Sequence, residues 1–284
     1  DLRIHATRPV PEIDTILDWS SEQGLLRAAE RCNGAGACRK SPGRGTMCPS
    51  YMATGEELHS TRGRANLFRH LLSAEDPSAA LSSDELHEAL ELCLSCKGCA
   101  SECPSSVDIA RMKAEFLQHH HDAHGTPLPS YVLGQFGKFA ALARFTPGLA
   151  SAVSNTGLAK KVLHVDPRRK VPAFADQTFS AWFRRHEVHP NAGERGEAVL
   201  FVDEFTEYTD PAVGIAATEF LEAAGYRLAA PSGLDSARTQ ISKGLLRKAR
   251  AAFERAITVL HPHASAGLPI IGLEPSAILG FRDE

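Results

Sequence analysis

Four cysteines within eleven residues constrain this chain more than any other feature. They stand in the run Cys93-Leu94-Ser95-Cys96-Lys97-Gly98-Cys99-Ala100-Ser101-Glu102-Cys103-Pro104, a C-x2-C-x2-C-x3-C-P pattern. Thiols at every third residue wrap three corners of one iron–sulfur cube. The fourth, turned away by the proline that follows it, serves the other cluster in two-cluster proteins. Zinc is the bland alternative, but it favours two separated C-x2-4-C pairs, which this run does not contain.

An altered copy of the run lies upstream. Cys32-Asn33-Gly34-Ala35-Gly36-Ala37-Cys38 keeps the first and third positions and has Ala35 at the second. The fourth position comes late, as Cys48-Pro49-Ser50, mirroring Cys103-Pro104-Ser105. With crossed pairing, Cys48, Cys93, Cys96 and Cys99 form a complete four-thiolate [4Fe–4S] site, cluster II. Cys32, Cys38 and Cys103 form cluster I, one thiolate short at Ala35. The expectation there is a [3Fe–4S] cluster, or a [4Fe–4S] cluster whose fourth iron is labile or held by a non-cysteine ligand. The alternative is that the first group is vestigial. These seven cysteines are all the chain has, and none follows Cys103. An odd number in the first third, with no signal-peptide apolar region, argues against a disulfide framework and for a reducing, cytoplasmic setting.

The remaining composition excludes some roles. Apolar residues make up 43% of 284, enough for a real core, and the formal net charge of −3 gives no generic case for nucleic acid. No apolar run is long enough for a transmembrane helix. A start at Asp1 and an end soon after the last expected strand read as a fragment or a processed chain.

The expected fold class is α+β overall: a mainly helical two-cluster ferredoxin-type module followed by a small, incomplete α/β domain with a parallel sheet. Residues 1–20 read as a linker or tail, with Pro9-Val10-Pro11. Residues 21–125 read as the iron–sulfur domain, with capping signals at Ser20/Gln23, Thr54/Glu57 and Ser82/Glu85. Helices are expected over 22–31, over 63–72, ahead of Cys93 and after Pro104. Residues 126–195 read as a helical connection, with helices near 130–145 and 177–186. From 196 to 284 the pattern is strand–helix–strand–helix–strand, with strands over 198–203, 226–230 and 269–273 and helices over 211–224 and 242–262. On the last helix, Leu245, Leu246, Ala249, Phe253, Ile257 and Leu260 mark the apolar face.

Together these motifs resemble the iron–sulfur part of FAD-linked oxidases acting on D-2-hydroxy acids. That group includes D-lactate and D-2-hydroxyglutarate dehydrogenase-like flavoproteins and the iron–sulfur subunits of glycolate oxidase and anaerobic glycerol-3-phosphate dehydrogenase. The resemblance is carried by Arg31-Cys32-Asn33-Gly34, Cys38-Arg39-Lys40, Met47-Cys48-Pro49-Ser50-Tyr51, Ser60-Thr61-Arg62-Gly63-Arg64-Ala65, Leu92 through Pro104 and Lys113-Ala114-Glu115-Phe116-Leu117. It implies an FAD domain in the same chain or in a partner, clusters that pass electrons singly, and a quinone or redox protein as acceptor. This chain has no flavin-binding motif, so alone it is not expected to oxidise a substrate. The last domain resembles the cysteine-rich module of heterodisulfide reductases. The places where that module carries cysteines read Asp235-Ser236-Ala237 and Glu274-Pro275-Ser276-Ala277. Without thiolates this frame can neither ligate a soft iron–sulfur centre nor exchange disulfides.

Other residues have weighed alternatives. Arg62, Arg64 and Arg69 either offset cluster charge or are plain surface arginines. Lys97 and Gly98, and Gly34 and Gly36, sit where backbone amides approach cluster sulfurs. His119-His120-His121 and His124 read as an exposed helix end, a metal site being the sharper alternative with no evident third ligand. Arg168-Arg169-Lys170 reads as a solvated turn. Trp19 and Trp182 read as core or contact residues. Phe139-Ala140-Ala141-Leu142-Ala143-Arg144-Phe145 reads as internal packing, with peripheral contact to the inner face of a membrane, or to a quinone partner, as its alternative. Two other function classes stay open: a redox- or oxygen-sensing protein with a labile cluster, and a structural zinc protein.

Overall fold

A computed structural model describes residues 12–283. The expected tail through Pro9-Val10-Pro11 lies outside them. The chain is α+β, mainly helical with one three-stranded parallel sheet. It divides into two units. One holds residues up to Thr126 together with Gly244–Leu246; the other holds Pro127–Lys243 and the residues from Arg247 on.

The first unit is helical. A 3-10 turn over Ser20–Glu22 precedes α1 (Leu25–Glu30), α2 (Pro49–Thr54), α3 (Thr61–Leu72), α4 (Pro77–Ala80), α5 (Asp84–Glu91), α6 (Gly98–Glu102) and α7 (Ile109–His124). Its core joins Leu25 of α1, Phe68 and Leu72 of α3, Leu86 and Leu90 of α5, and Met112 and Phe116 of α7 with Trp19 and Met47. Helical spacing puts each pair on one face. Four caps fix helix starts: Ser60 accepts from the Gly63 N–H, Asp76 from Ser78 and Ala79, Ser83 from Leu86, and Asp108 from Arg111.

The expected caps differ from these. Ser20 lies inside the 3-10 turn, Gln23 is left-handed at φ 62°, and Gly24 at φ 107° starts α1. Thr54 ends α2, its hydroxyl donating to the Ser50 carbonyl. Ser83 rather than Ser82 caps α5: its Oγ accepts from the Leu86 N–H at 3.3 Å while donating to the Ala80 carbonyl.

Two buried charges brace α7. Glu115 is fully buried and accepts from the N–H groups of Ile16 (2.8 Å) and Leu17 (2.9 Å), from Trp19 Nε1 (3.3 Å) and from His119 Nε2 (2.9 Å). Burial pushes its carboxyl up, but these donors together hold it below the ordinary value. Trp19 is thereby a core residue. Two residues earlier on the same helix Lys113 Nζ donates to the Leu90 and Cys93 carbonyls, at 2.7 and 2.6 Å.

The second unit begins with short helices: α8 (Leu128–Gly134), α9 (Phe136–Ala143), α10 (Pro147–Ser154), α11 (Gly157–Val162) and α12 (Phe179–Phe183). Then come β1 (Gly196–Phe201), α13 (Glu204–Tyr208), α14 (Pro211–Ala223), β2 (Tyr226–Ala229), α15 (Arg238–Ser242), α16 (Leu246–Ser265), β3 (Ile270–Gly272), α17 (Pro275–Ile278) and α18 (Gly280–Asp283). The sheet order is β2-β1-β3, all parallel, with Val199 level with Ala229 on one side and with Ile270 on the other. The two-residue period of β1 splits its buried run. Val199 and Phe201 pack with Leu260 and Ala277, while Leu200 and Val202 pack with Phe179. Gly214 lets α14 meet Phe179, since a Cβ there would lie 2.6 Å from the ring.

Three expectations change here. The buried face of α16 runs through Leu246, Ala249, Ala252, Ala256 and Leu260, and Ile257 points to solvent, because a straight 3.6-residue helix cannot bury both 256 and 257 along that line. The stretch near 130–145 is two helices, broken at Gln135. Within it Ala140 is buried, but Leu142 and Phe145 are 67% and 72% exposed, so internal packing does not account for them.

Just after the central strand β1, at the start of α13, Glu204 is buried, accepting from the Ser236 N–H and Oγ, each at 3.0 Å. Burial first, and the Asp235 carboxylate next, push its carboxyl up to about 7. The native state therefore holds a proton that the unfolded chain releases near 4.5, and stability falls as pH rises from there through 7. Glu204→Gln should flatten that fall and add on the order of 2–3 kcal/mol at pH 8. Thermal melts of both proteins from pH 5 to 8 check it; parallel melting curves would sink it.

Candidate metal centre

The two cysteine loops are shaped by backbone conformations that few residues adopt willingly. Cys48 is left-handed (φ 60°, ψ 61°) just before Pro49 opens α2. Ser95 and Lys97 are left-handed as well, at φ 52° and 57°. Such residues cost about 1–3 kcal/mol each and persist only where surroundings over-determine them. Cys48 and Cys99 are buried here, Cys93 is half-buried and Cys96 is exposed. Cys48, Cys93, Cys96 and Cys99 line one small cavity of about 20 Å³, open to solvent on one side, with Thr61, Arg64, Ile109 and Ala110 in its wall.

Donors point at these sulfurs. The Thr61 N–H donates to Cys48 Sγ at 2.9 Å, and Thr61 Oγ1 lies 2.8 Å from it. The N–H groups of Ala110 and Ile109, at the start of α7, donate to Cys99. Burial, and then the Asp108 carboxylate, still push the Cys99 thiol up to about 12; burial also raises Cys48. Buried thiols of this kind lose their protons only to a cation that takes their place. Four sulfurs, donors aimed at them and a cavity between them fit a [4Fe–4S] cluster.

Arg64 lies behind this wall, fully buried. Its Nε donates to the Ala89 carbonyl at 2.7 Å and its Nη2 to Ser50 Oγ at 3.0 Å. It is no surface arginine: a fixed positive charge stands beside four prospective thiolates. Lys113, which holds the Cys93 carbonyl, adds a second.

The first group assembles differently. Cys32 follows α1, Cys38 is buried, and Cys103 ends α6. Cys38 and Cys103 are the thiols that act on Cys32, and the Gly34 N–H donates to its sulfur. Burial is the main cause that raises Cys32. Gly34 and Gly36 are both left-handed, which the tight loop requires. Ala35 is exposed between them, its N–H donating to Asn33 Oδ1 at 3.0 Å. Arg62 Nη1 reaches the Gly34 carbonyl at 3.3 Å, and the Arg69 charge lowers Cys32. The structure thus brings Cys48 to the second motif and Cys103 to the first.

Glu102 secures the insertion between Cys38 and Cys48. It accepts from the Thr46 N–H (2.7 Å), Thr46 Oγ1 (2.5 Å) and the Met47 N–H (3.4 Å), and it pairs with Lys40. Those partners, Lys40 first, hold its carboxyl at about 2. Gly98 serves this contact too, since a Cβ there would lie 3.2 Å from the Met47 backbone. Its role is close approach of the two loops. Glu102, Thr61, Lys113 and Glu115 fall inside the motif stretches, but the motifs do not reveal what these side chains and amides bond to. The one available signal is a charged pair, Lys113 and Glu115, on an otherwise apolar stretch of α7.

Known proteins share this sequence pattern. Residues 28–107 match the 4Fe-4S dicluster domain family. The dicluster module carries six of the cysteines between Cys32 and Cys99, and Cys103 as the seventh. The whole chain is 27% identical over 91% of its length to D-2-hydroxyglutarate dehydrogenase of Escherichia coli (strain K12), and 30% identical over 90% to that of Pseudomonas putida. It spans about 30% of the length of each. The glycolate oxidase iron-sulfur subunit of Escherichia coli is 30% identical over 52% of this chain, which is 33% of that subunit. No solved structure matches. The resemblance carried by the cysteine motifs holds: this is an iron–sulfur domain related to oxidoreductases of those two kinds.

Proposed function

We propose that the chain is the electron-transfer module of a FAD-linked 2-hydroxy-acid dehydrogenase of the D-lactate, D-2-hydroxyglutarate or glycolate type. In this reading Cys48, Cys93, Cys96 and Cys99 hold a [4Fe–4S] cluster. Cys32, Cys38 and Cys103 hold a second, either [3Fe–4S] or a [4Fe–4S] with a labile iron at Ala35. Such clusters carry one electron at a time, which suits an oxidation that begins with a two-electron flavin step. The observation that carries the reading is the exchange of one thiol between the two cysteine loops, which sets two sulfur groups side by side. The chain's own residues supply the rest: N–H donors at Thr61, Ile109 and Ala110, and positive charge at Arg64 and Lys113, favour the added electron.

The flavin and the substrate site belong, on this reading, to an FAD-linked domain or partner subunit. The acceptor is a quinone or a redox protein, reached by peripheral contact with a membrane. Exposed Leu142, Phe145, Leu149, Val153 and Leu158 support that contact. So do seven Lys and Arg residues against one Asp over 127–170. No helix among the described residues is long and apolar enough to cross a membrane.

A second reading, a sensor with a labile cluster, is favoured by the exposure of Ala35 alone. One experiment separates the two. On mixing the cluster-loaded chain with a substrate-reduced FAD-linked dehydrogenase, the visible absorbance should bleach at least as fast as the flavoprotein turns over. Bleaching far slower than turnover would favour the sensor.

The ligand count gives a sharper test. Wild-type protein should carry about seven irons and an oxidised-state three-iron EPR signal, and Ala35→Cys should raise the count to about eight and abolish that signal. An unchanged three-iron signal in the variant would overturn the assignment of the missing ligand to Ala35, and about four irons in both proteins would remove cluster I from the proposal.

For the membrane side, wild type should sediment with phosphatidylserine vesicles but not with neutral ones. Leu142→Ser/Phe145→Ser should stay in solution. Equal recovery of both proteins with the anionic vesicles would leave only a soluble acceptor.

A further inference from the structure

The histidines near the end of α7 do not form the hydrated helix end expected of them. His121 is buried, and His120 keeps only 13% of its side chain exposed. His120 Nε2 is buried with no hydrogen-bond partner among the described residues. The group it faces is the Asp84 carboxylate at the start of α5, whose Oδ1 is 3.9 Å away, too far for a hydrogen bond. His124 stands one turn on from His120, their rings 4.3 Å apart between centroids. One ligand atom from each of Asp84, His120 and His124 lies within 4.8 Å of the others.

We propose that Asp84, His120 and His124 form a binding site for a divalent first-row transition ion, Zn²⁺ in the first instance, separate from the cysteine loops. Two imidazoles and one carboxylate are ligands such ions accept, and three protein ligands leave a fourth position for water. Ligands held at about 2.0–2.2 Å on a tetrahedral ion stand roughly 3.4 Å apart, so the gap from Asp84 to His120 closes by about half an ångström. The Asp84 side chain is 98% exposed and free to make that move. His124 is already oriented. Its Nδ1 lies 3.1 Å from the His120 carbonyl, and a proton there leaves Nε2 to the metal. His87 of α5 stacks on His120 from the other side, at 4.5 Å, and fixes the ring plane. Burial first, and then the His87 and His124 imidazoles, lower the His120 value, which favours the neutral ring a metal needs.

The site joins the two helices that carry the second cysteine loop. Helix α5 runs into Cys93. Helix α7 starts with the N–H groups that point at Cys99, and its Lys113 holds the Cys93 carbonyl. A bound ion ties α5 to α7 at the ends remote from the sulfurs.

The test uses the cluster-loaded chain. Equilibrium dialysis should find one Zn²⁺ per chain beyond the cluster iron, and Co²⁺ in its place should give the visible d–d bands of an imidazole-bound ion. Asp84→Asn and His124→Ala alter exposed side chains, so both should fold and keep their cluster absorbance. Each should weaken Zn²⁺ binding by roughly tenfold or more and lose the Co²⁺ bands. Unchanged affinity in His124→Ala would overturn the proposal. So would Zn²⁺ uptake matched by loss of iron, which would put the ion on the cysteine sulfurs instead.

Discussion

Four sulfur atoms around one cavity repel one another once they ionise, and most of the first unit is arranged against that repulsion. Arg64 is the plainest case. A fully buried guanidinium is costly to desolvate and is retained only where it is bonded and matched by charge. Its bonds go to Ala89 and Ser50, and its matching charge can come only from the sulfurs, since no carboxylate among the described residues is paired with it. Lys113 repeats the pattern one helix away, holding the carbonyls that end α5 and begin the second loop. The N–H groups of Thr61, Ile109 and Ala110 add dipoles of the same sign. A cavity so furnished is unfavourable empty, with its thiols protonated and no negative charge facing Arg64. It becomes favourable when a metal cluster draws off the protons.

The exchange of one thiol between the loops makes folding of this unit cooperative. Cys48 lies beside sulfurs that follow it by 45 residues or more, and Cys103 lies beside one that precedes it by 71. Neither loop can close its own site. Glu102 adds a cross-link that needs no metal, gripping Thr46, Met47 and Lys40, while the absence of a side chain at Gly98 lets the Met47 backbone sit against α6. This grip fixes where Cys48 emerges. The left-handed turn at Cys48, and those at Ser95 and Lys97, are strain that the surrounding bonds must hold in place.

How much of this was legible in the sequence depended on whether a feature has a period or a fixed spacing. The cysteine runs do, and so do the strands: the buried run at Ala198–Val202 and the parallel order around it follow from pattern alone. Helix starts were misplaced by one or a few residues, as at Ser82 against Ser83, because neighbouring serines compete for the same donors. Buried charges have neither period nor spacing. Glu115 reads like any glutamate of an amphipathic helix until four donors 96 to 99 residues upstream, or one turn downstream, are seen to converge on it. Asp84 was invisible as a partner for His120 for the same reason, because it lies 36 residues away across a helix pair.

The second unit bears on the same question from the other side. Where the resemblance places thiols, this chain has Asp235-Ser236-Ala237, and beside them the buried Glu204. Ser236 donates twice to Glu204, and Gln240 donates to Asp235 at 3.2 Å. Burial and the second carboxylate drive Glu204 toward its protonated form, and hydrogen bonds from Ser236 hold it in place. Carboxyl oxygens are hard ligands, the reverse of what a soft iron–sulfur centre requires. The sheet and the close approach at Gly214 need no metal to persist. With every cysteine inside the first 126 residues, the second unit has no thiolate with which to hold such a centre.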